Sequence, residues 1–290
     1  MFKKRIIAVL ILKGGRIVQS VGFRRYLPVG TIEVCAQSLN RWGIDEIILL
    51  DIEATSQGRK PDLNAVRALS RNCFVPITAG GGISDLNDIT RAIHSGADKI
   101  CINRAALDRP ELIREGAKAF GKQCLVVAMD VFRGVNGKTE VMTGNGRAGT
   151  GKDPVRWAKE AEECGAGELL VQAVHRDGAK QGYDVALLKE IAQAVSIPVI
   201  GLGGAGHPAH FLEAFTQTEI CAAAAGNYFH FTEHSPVVTK AYLAQHGVNV
   251  RMDTENTYAE ASFDEQGRVA KYPSEYLQRL RFIKVHEEKL

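Results

Sequence analysis

The sequence predicts an α/β fold, a (β/α)8 TIM barrel made of two duplicated half-barrels, with a C-terminal extension. Three observations carry that prediction. The segment Pro76-Ile-Thr-Ala-Gly80-Gly81-Gly82-Ile83 returns as Pro198-Val-Ile-Gly-Leu-Gly203-Gly204-Ala205-Gly206, with Gly81 and Gly203 separated by 122 positions. The segment Ile44-Asp45-Glu46-Ile47-Ile48-Leu49 returns as Ala166-Gly167-Glu168-Leu169-Leu170-Val171, and Glu46 and Glu168 keep the same separation of 122. Two matched pairs in one register indicate a duplicated unit. Third, β-branched apolar runs alternate with amphipathic stretches, the pattern of parallel strands covered by helices.

Eight strands are read in order at Arg5–Leu12, Glu46–Asp51, Phe74–Ala79, Lys99–Asn103, Leu125–Val131, Glu168–Ala173, Pro198–Leu202 and Ile220–Ala225. Each is short and apolar nearly throughout, as a strand covered on both faces must be. Helical spacing of apolar residues follows at Thr31–Trp42, Asp62–Ser70, Leu86–Ser95, Glu111–Ala119, Asp153–Cys164, Asp184–Ala194, Pro208–Phe215 and Ser235–Gln245. Eight such units close into a barrel whose strand C-termini and following loops carry the chemistry, whereas the opposite rim serves stability. This assigns residues 1–251 to the barrel. Residues 252–290 exceed what eight units need and are read as an accessory extension packing on the barrel or a partner, with a hairpin turn at Phe263–Val269 and an amphipathic segment at Tyr276–Ile283.

At 290 residues, 45% hydrophobic and 24% charged, the chain has the composition of a globular protein and not of a disordered one. Its net charge of +3 comes without a basic stripe, so no nucleic-acid partner is expected and a small anionic substrate accounts for local cations. Six cysteines form no CxxC pair and sit mostly in apolar runs, as core fillers in a reducing cytosol do. With no signal-peptide pattern and no apolar run of about 18 residues, the expectation is cytoplasmic, with no membrane. Eight histidines lack metal-ligand spacing, and neither metal nor cofactor is expected.

Each glycine run follows a strand and precedes a helical pattern, where bare N–H groups can wrap a phosphate. One run alone is weak, because glycine suits any tight turn. Two at corresponding strand ends imply a substrate with phosphate at both ends. The cups are read as Gly81 and Gly82 with Asn103, and as Gly203 and Gly204 with Gly226 and Asn227. Asn103 and Asn227 end the following strands and either donate to phosphate or cap the next helix. Asp177 and Gly178 lie in a compact polar loop suited to a phosphate or ribose. Asp130 closes the apolar strand begun at Leu125, where a carboxylate is poised as general acid or base, or caps a helix; Asp51 has the same setting. Superposing Ile7–Ile11 on Val126–Asp130, 119 positions apart, sets Ile11 where the second half has Asp130. Isoleucine moves no proton. Arg5, Glu46, Lys99 and Glu168 stand at the opposite rim, as a structural ring of ion pairs or as a gate for a small polar molecule.

These residues resemble the cyclase subunit of imidazole glycerol phosphate synthase, a histidine-biosynthesis enzyme. The likeness covers about residues 3–251, through Lys4-Arg5-Ile6-Ile7, Gly43-Ile-Asp-Glu46, Gly80-Gly-Gly-Ile83, Gly96-Ala-Asp98-Lys99, Arg176-Asp-Gly178, Gly182-Tyr-Asp184, Gly203-Gly-Ala-Gly206 and Gly247-Val-Asn-Val-Arg251. It implies a bisphosphorylated ribulosyl substrate held between Gly82 with Asn103 and Asp177, Gly178, Gly203 and Gly204. It also implies a glutaminase subunit docked at the barrel bottom, where Asp98 lies, with ammonia passing Arg5, Glu46, Lys99 and Glu168 and rising along the axis.

The departures concentrate at the first strand. The family pattern reads Cys-Leu-Asp-Val-Lys-Asp-Gly-Arg where this chain has Val9-Leu10-Ile11-Leu12-Lys13-Gly14-Gly15-Arg16, so the catalytic aspartate is Ile11. Family lysines at the positions of Gln19 and Phe132, and a threonine at Arg104, are also replaced. A branch from surface-polysaccharide clusters, likewise apolar at this point, is a better match. That resemblance implies an ammonia-conducting subunit working with a glutaminase and a sugar amidotransferase to turn an acetamido group of a nucleotide sugar into an acetamidino group. The alternatives are a true cyclase relying on Asp130, alone or with Asp51, and a non-catalytic scaffold that activates the glutaminase, against which the intact phosphate loops weigh.

Overall fold

Strands that are apolar on both faces need cover on both, and this chain supplies it by closing its sheet on itself and wrapping it in helices. The computed structural model describes residues 3–279 except 136, 233, 255 and 256. Its barrel strands are β1 (Arg5–Lys13), β2 (Glu46–Asp51), β3 (Ile77–Gly80), β4 (Lys99–Ile102), β5 (Leu125–Arg133), β6 (Glu168–Ala173), β7 (Val199–Leu202) and β8 (Ala222–Ala225). Each pairs in parallel with the next, and β8 returns to β1, which closes a (β/α)8 barrel. Because strand side chains alternate faces, Ile7 and Val9 point into the bore with Ile48, Val126, Leu170 and Ile200. Ile6, Ala8 and Leu10 instead pack beneath the helices.

The covering helices are α1 (Ile32–Arg41), α2 (Leu63–Arg71), α3 (Leu86–His94), α4 (Glu111–Phe120), α5 (Pro154–Glu163), α6 (Val185–Ala194), α7 (Pro208–Gln217) and α8 (Ser235–Gln245). The duplication extends to their caps. Asp62 accepts the Asn64 and Ala65 amides at the start of α2, and Asp184, 122 positions on, accepts the Leu187 amide at the start of α6. Helix and strand bounds fall within a few residues of those read from the sequence. The largest difference is at Phe74 and Val75, which precede β3; Phe74 is exposed, and the ladder begins only at Ile77.

The ladder turns the sequence repeat into geometry. Ile7 pairs with Glu46 and Val126 with Glu168; Ile48 pairs with Thr78 and Leu170 with Ile200. At the top of the barrel Ile11 pairs with Leu50, and Asp130 pairs with Gln172. Ile11 and Asp130 therefore hold equivalent positions in the two halves.

Two hairpins escaped the reading of eight simple units. β1 runs on into strands Arg16–Val21 and Arg25–Gly30, and β5 into Thr139–Thr143 and Ala148–Gly149. They rise above the barrel with one face exposed, so they lack the continuous apolar run that marks a barrel strand. Gly14 and Gly15, with φ of 55° and 73°, make the two-residue turn that lets β1 fold back.

The expected hairpin of the extension forms through an antiparallel bridge between Phe263 and Val269. It lies against α7 and α8: the Ala209 amide donates to the Gln266 carbonyl, and Phe263 packs on Tyr242. A short helix follows at Ser274–Arg279, and the remainder of the segment read as amphipathic lies outside the described residues. Among the described residues no helix is long and apolar enough to cross a membrane.

Candidate active site

The C-terminal ends of the strands open into a mouth with two unequal lobes. The larger, about 720 Å³, holds Gly81, Gly82, Asn103, Asp51 and Asp130. The smaller, about 70 Å³, holds Gly178, Gly203, Gly204, Gly226, Asn227, Asp177 and Ile11. Phe23, Tyr26, Leu50, Ile52, Asn145 and Gln172 line both lobes and join them. The structure thus gathers every residue read from the sequence as a phosphate or proton site at one end of the barrel.

The two glycine loops are built alike. Gly81 and Gly203 have φ of 96° and 103°, and a side chain at either would strike the carbonyl at the end of the preceding strand, Asp51 or Ala173. Gly82 and Gly204, at 74° and 96°, press in the same way on the Arg59 and Gly182 carbonyls. These positions favour glycine by both backbone conformation and clearance. Each loop is also tied from below at the same spacing: the Ser84 amide donates to Asp88, and the Gly206 amide to Nδ1 of His210. Burial, with His207 and Arg176 nearby, lowers the His210 pKa to about 4, so the ring is a neutral acceptor near pH 7.

The polar side chains of the two lobes are not alike. Asp130 is buried, and burial raises its pKa to about 6, aided by the charge of Asp177 and opposed by a 3.0 Å hydrogen bond from Asn103 Nδ2. Such a carboxyl exchanges a proton close to neutral pH. Across the mouth, Ile11 offers hydrocarbon. Asp51 lines the large lobe with its carboxylate already engaged: it accepts the Glu53 and Ala54 amides and faces the Arg59 guanidinium at 3.1 Å. Asn227 is likewise engaged, its amide bonding both the N–H and the carbonyl of Ser20. Asp177 accepts the Ser20 hydroxyl at 2.7 Å and the Phe23 amide at 3.1 Å, and burial raises its pKa against those bonds. Asn227 and Asp177 therefore hold the first hairpin down over the small lobe.

At the opposite rim Arg5, Glu46, Lys99 and Glu168 meet in a closed ring. Arg5 lies 2.8 Å from both carboxylates, and Lys99 lies 3.1 Å from Glu46 and 2.9 Å from Glu168. Glu46 gains a third donor, the Thr78 hydroxyl at 2.9 Å. The ladder maps Glu46 onto Glu168, Arg5 onto Cys124, and Lys99 onto Ala222, so the carboxylates are duplicated and the cations are not. Asp98 is exposed beside this rim and accepts the Ile77 amide.

The mouth also uses residues that sequence reasoning missed: Tyr26, Asn145, Arg147, Gln172 and Lys180. Gln172 was readable, since it lies 122 positions beyond Leu50. Asn145 and Arg147 follow from the Gly144-Asn145-Gly146 turn signal between two short runs.

Comparison with known proteins agrees with this geometry. A family model described as histidine biosynthesis protein matches residues 5–235. Two relatives from Bacillus cereus, strains ATCC 10987 / NRS 248 and G9842, each called imidazole glycerol phosphate synthase subunit HisF, are 43% identical over 252 residues, 87% of this chain and 100% of theirs.

Proposed function

This chain belongs to the histidine biosynthesis protein family and to its imidazole glycerol phosphate synthase subunit HisF branch, and from that premise we propose that it is the ammonia-receiving barrel of a glutamine-dependent amidotransferase whose acceptor is not the family's bisphosphate. The observation that carries this reading is Ile11 at the position equivalent to Asp130. Ring-closing chemistry gives its two carboxyl groups separate acid and base roles. Losing one costs about 10²-fold to 10⁴-fold in rate.

In this reading a glutaminase subunit docks on the face that carries Asp98. Ammonia passes when an ion pair of the ring swings aside and then rises through a bore of Ile7, Val9, Ile48, Cys101, Val126 and Ala128. That lining selects NH3 over ammonium, because an unpaired ion costs several kcal/mol or more in such an interior. At the mouth, a sugar amidotransferase uses the ammonia to convert an acetamido group of a surface-glycan nucleotide sugar into an acetamidino group. Residues 252–290 form an accessory extension to the barrel of residues 1–251.

The test supplies the bisphosphorylated ribulosyl intermediate with ammonium and looks for imidazole glycerol phosphate. The proposal expects product formation close to the protein-free background. Turnover at about 1 s⁻¹ or faster, within the ordinary enzyme range, overturns it. A second reading, a true cyclase working from Asp130, is favoured by one observation: that carboxyl has its pKa near 6 and is oriented by Asn103. The same assay separates the two.

A further inference from the structure

We propose that the C-terminal extension is a positioning element of the candidate site: its Asp264–Arg268 turn takes over the capping of α7 and, through His207 and His210, fixes the second glycine loop. This goes beyond the reading above and does not depend on which acceptor the mouth serves.

The mirrored loops show what the turn replaces. At the constant separation of 122, Ser84, Asp85 and Asp88 correspond to Gly206, His207 and His210. In the first half the brace is local. Asp85 is the N-cap of α3 and accepts the Asp88 amide at 2.8 Å, and Asp88 accepts the Ser84 amide at 3.0 Å. Lys60 binds both carboxylates, at 2.7 and 2.8 Å. In the second half neither carboxylate is present. His207 stands at the N-cap of α7 and makes no side-chain cap bond, a loss that costs a helix about 1 kcal/mol.

The extension supplies the missing acceptor. The Gln266 carbonyl takes the Ala209 amide at 3.1 Å, one of the N–H groups that a helix start leaves unpaired. The turn is preset for this contact. Asp264 Oδ1 accepts the Gln266 and Arg268 amides, both at 2.9 Å. Gly267, with φ of 76°, is seated so closely that a Cβ there would lie 2.7 Å from that of Pro208 and 2.9 Å from the Tyr242 ring. From the turn, contact runs inward. Burial lowers the His207 pKa, with Arg268 acting in the same sense and the Gln266 backbone and Asp264 opposing it, so this ring faces the turn. It stacks on His210 with ring centroids 3.6 Å apart, and His210 Nδ1 holds the Gly206 amide at 3.1 Å. His210 also lies beside Gly182, whose amide donates to the Gly204 carbonyl at 2.9 Å. An imidazole packed against a second ring keeps one orientation, and through it the turn sets where the Gly206 amide sits.

Amide hydrogen exchange in the full-length protein tests the inference, with the first loop as internal control. Gly267→Val unseats the turn. Exchange faster by on the order of tenfold is expected at Ala209 and Gly206, with Ser84 and Asp88 unchanged. Asp264→Ala, which loosens the turn without filling its seat, should act in the same direction and less strongly. Combined with His207→Ala, Gly267→Val should still free Ala209 but add nothing at Gly206, the non-additivity of a link that runs through the ring. Ala209 freed while Gly206 keeps its protection, equal acceleration at Ser84 and Gly206, protection at Ala209 undiminished in both turn variants, or additive effects at Gly206 in the double variant would each overturn the proposal.

Discussion

The two halves of this barrel share a frame and differ in what stands on it. The ladder pairs, the positive-φ glycines and the helix caps at Asp62 and Asp184 repeat at constant separations. Every one of these positions is fixed by backbone geometry. The positions that break the repeat are Ile11 against Asp130 at the mouth, and Cys124 and Ala222 against Arg5 and Lys99 at the opposite rim. Packing tolerates a change of chemistry there, so the halves can differ in side chain while keeping one frame.

The largest effect expected from a paired comparison is at the ring. Glu46→Gln removes a carboxylate that answers Arg5, Lys99 and Thr78, and is predicted to destabilise by about 3–5 kcal/mol, the cost of breaking a buried charge network. Glu168→Gln, more exposed and without the hydroxyl, is predicted to cost less. Urea denaturation of both variants checks the ranking; equal losses would mean that the ring is symmetric in energy despite its asymmetric partners.

Asp130 is next. Its carboxyl is protonated in both states below about pH 4. Between there and about 6 the unfolded carboxyl ionises first, so the folded protein loses stability as pH rises through that window and remains less stable above it. Asp130→Asn is predicted to relieve this, raising stability above the window by about 3 kcal/mol and leaving it unchanged below. Ile11→Ala, at the equivalent position, keeps Asp130, so its own effect on stability should be the same on both sides of the window. Denaturation midpoints at about pH 2.5 and pH 8, outside the window set by the two pKa values, make the comparison.

Much of this was legible in the sequence, for a physical reason. Parallel strands buried on both faces must be continuous apolar runs, and Glu46–Asp51 and Glu168–Ala173 were found at their observed bounds. The glycines announced their loops because no other residue fits. The hairpins after β1 and β5 were not legible, since their half-exposed strands do not show the barrel pattern. The engagement of Asn227 and Asp177 with Ser20 followed them out of sight, because it depends on a hairpin folding back across the chain. Residue type identified these two side chains as site candidates but not that their bonding capacity was largely taken.

Two smaller contrasts sharpen the same comparison. Gly81→Ala and Gly203→Ala each force a side chain into positive φ and against a carbonyl, with losses of about 1–3 kcal/mol expected by thermal unfolding and the larger at Gly81, where clearance is least. Asp62→Ala should cost about 1 kcal/mol as a lost cap. Asp184→Ala should cost more, because Asp184 also pairs with Arg133 at 3.0 Å.

The most direct test of the central claim restores the broken equivalence. Wild-type protein and Ile11→Asp are given the bisphosphorylated intermediate and ammonium side by side, and imidazole glycerol phosphate is measured. A barrel silenced at one position predicts a near-background wild type and a gain of about 10²-fold or more in the variant, the size of one general acid–base group. Robust wild-type turnover that Ile11→Asp leaves unchanged would contradict it.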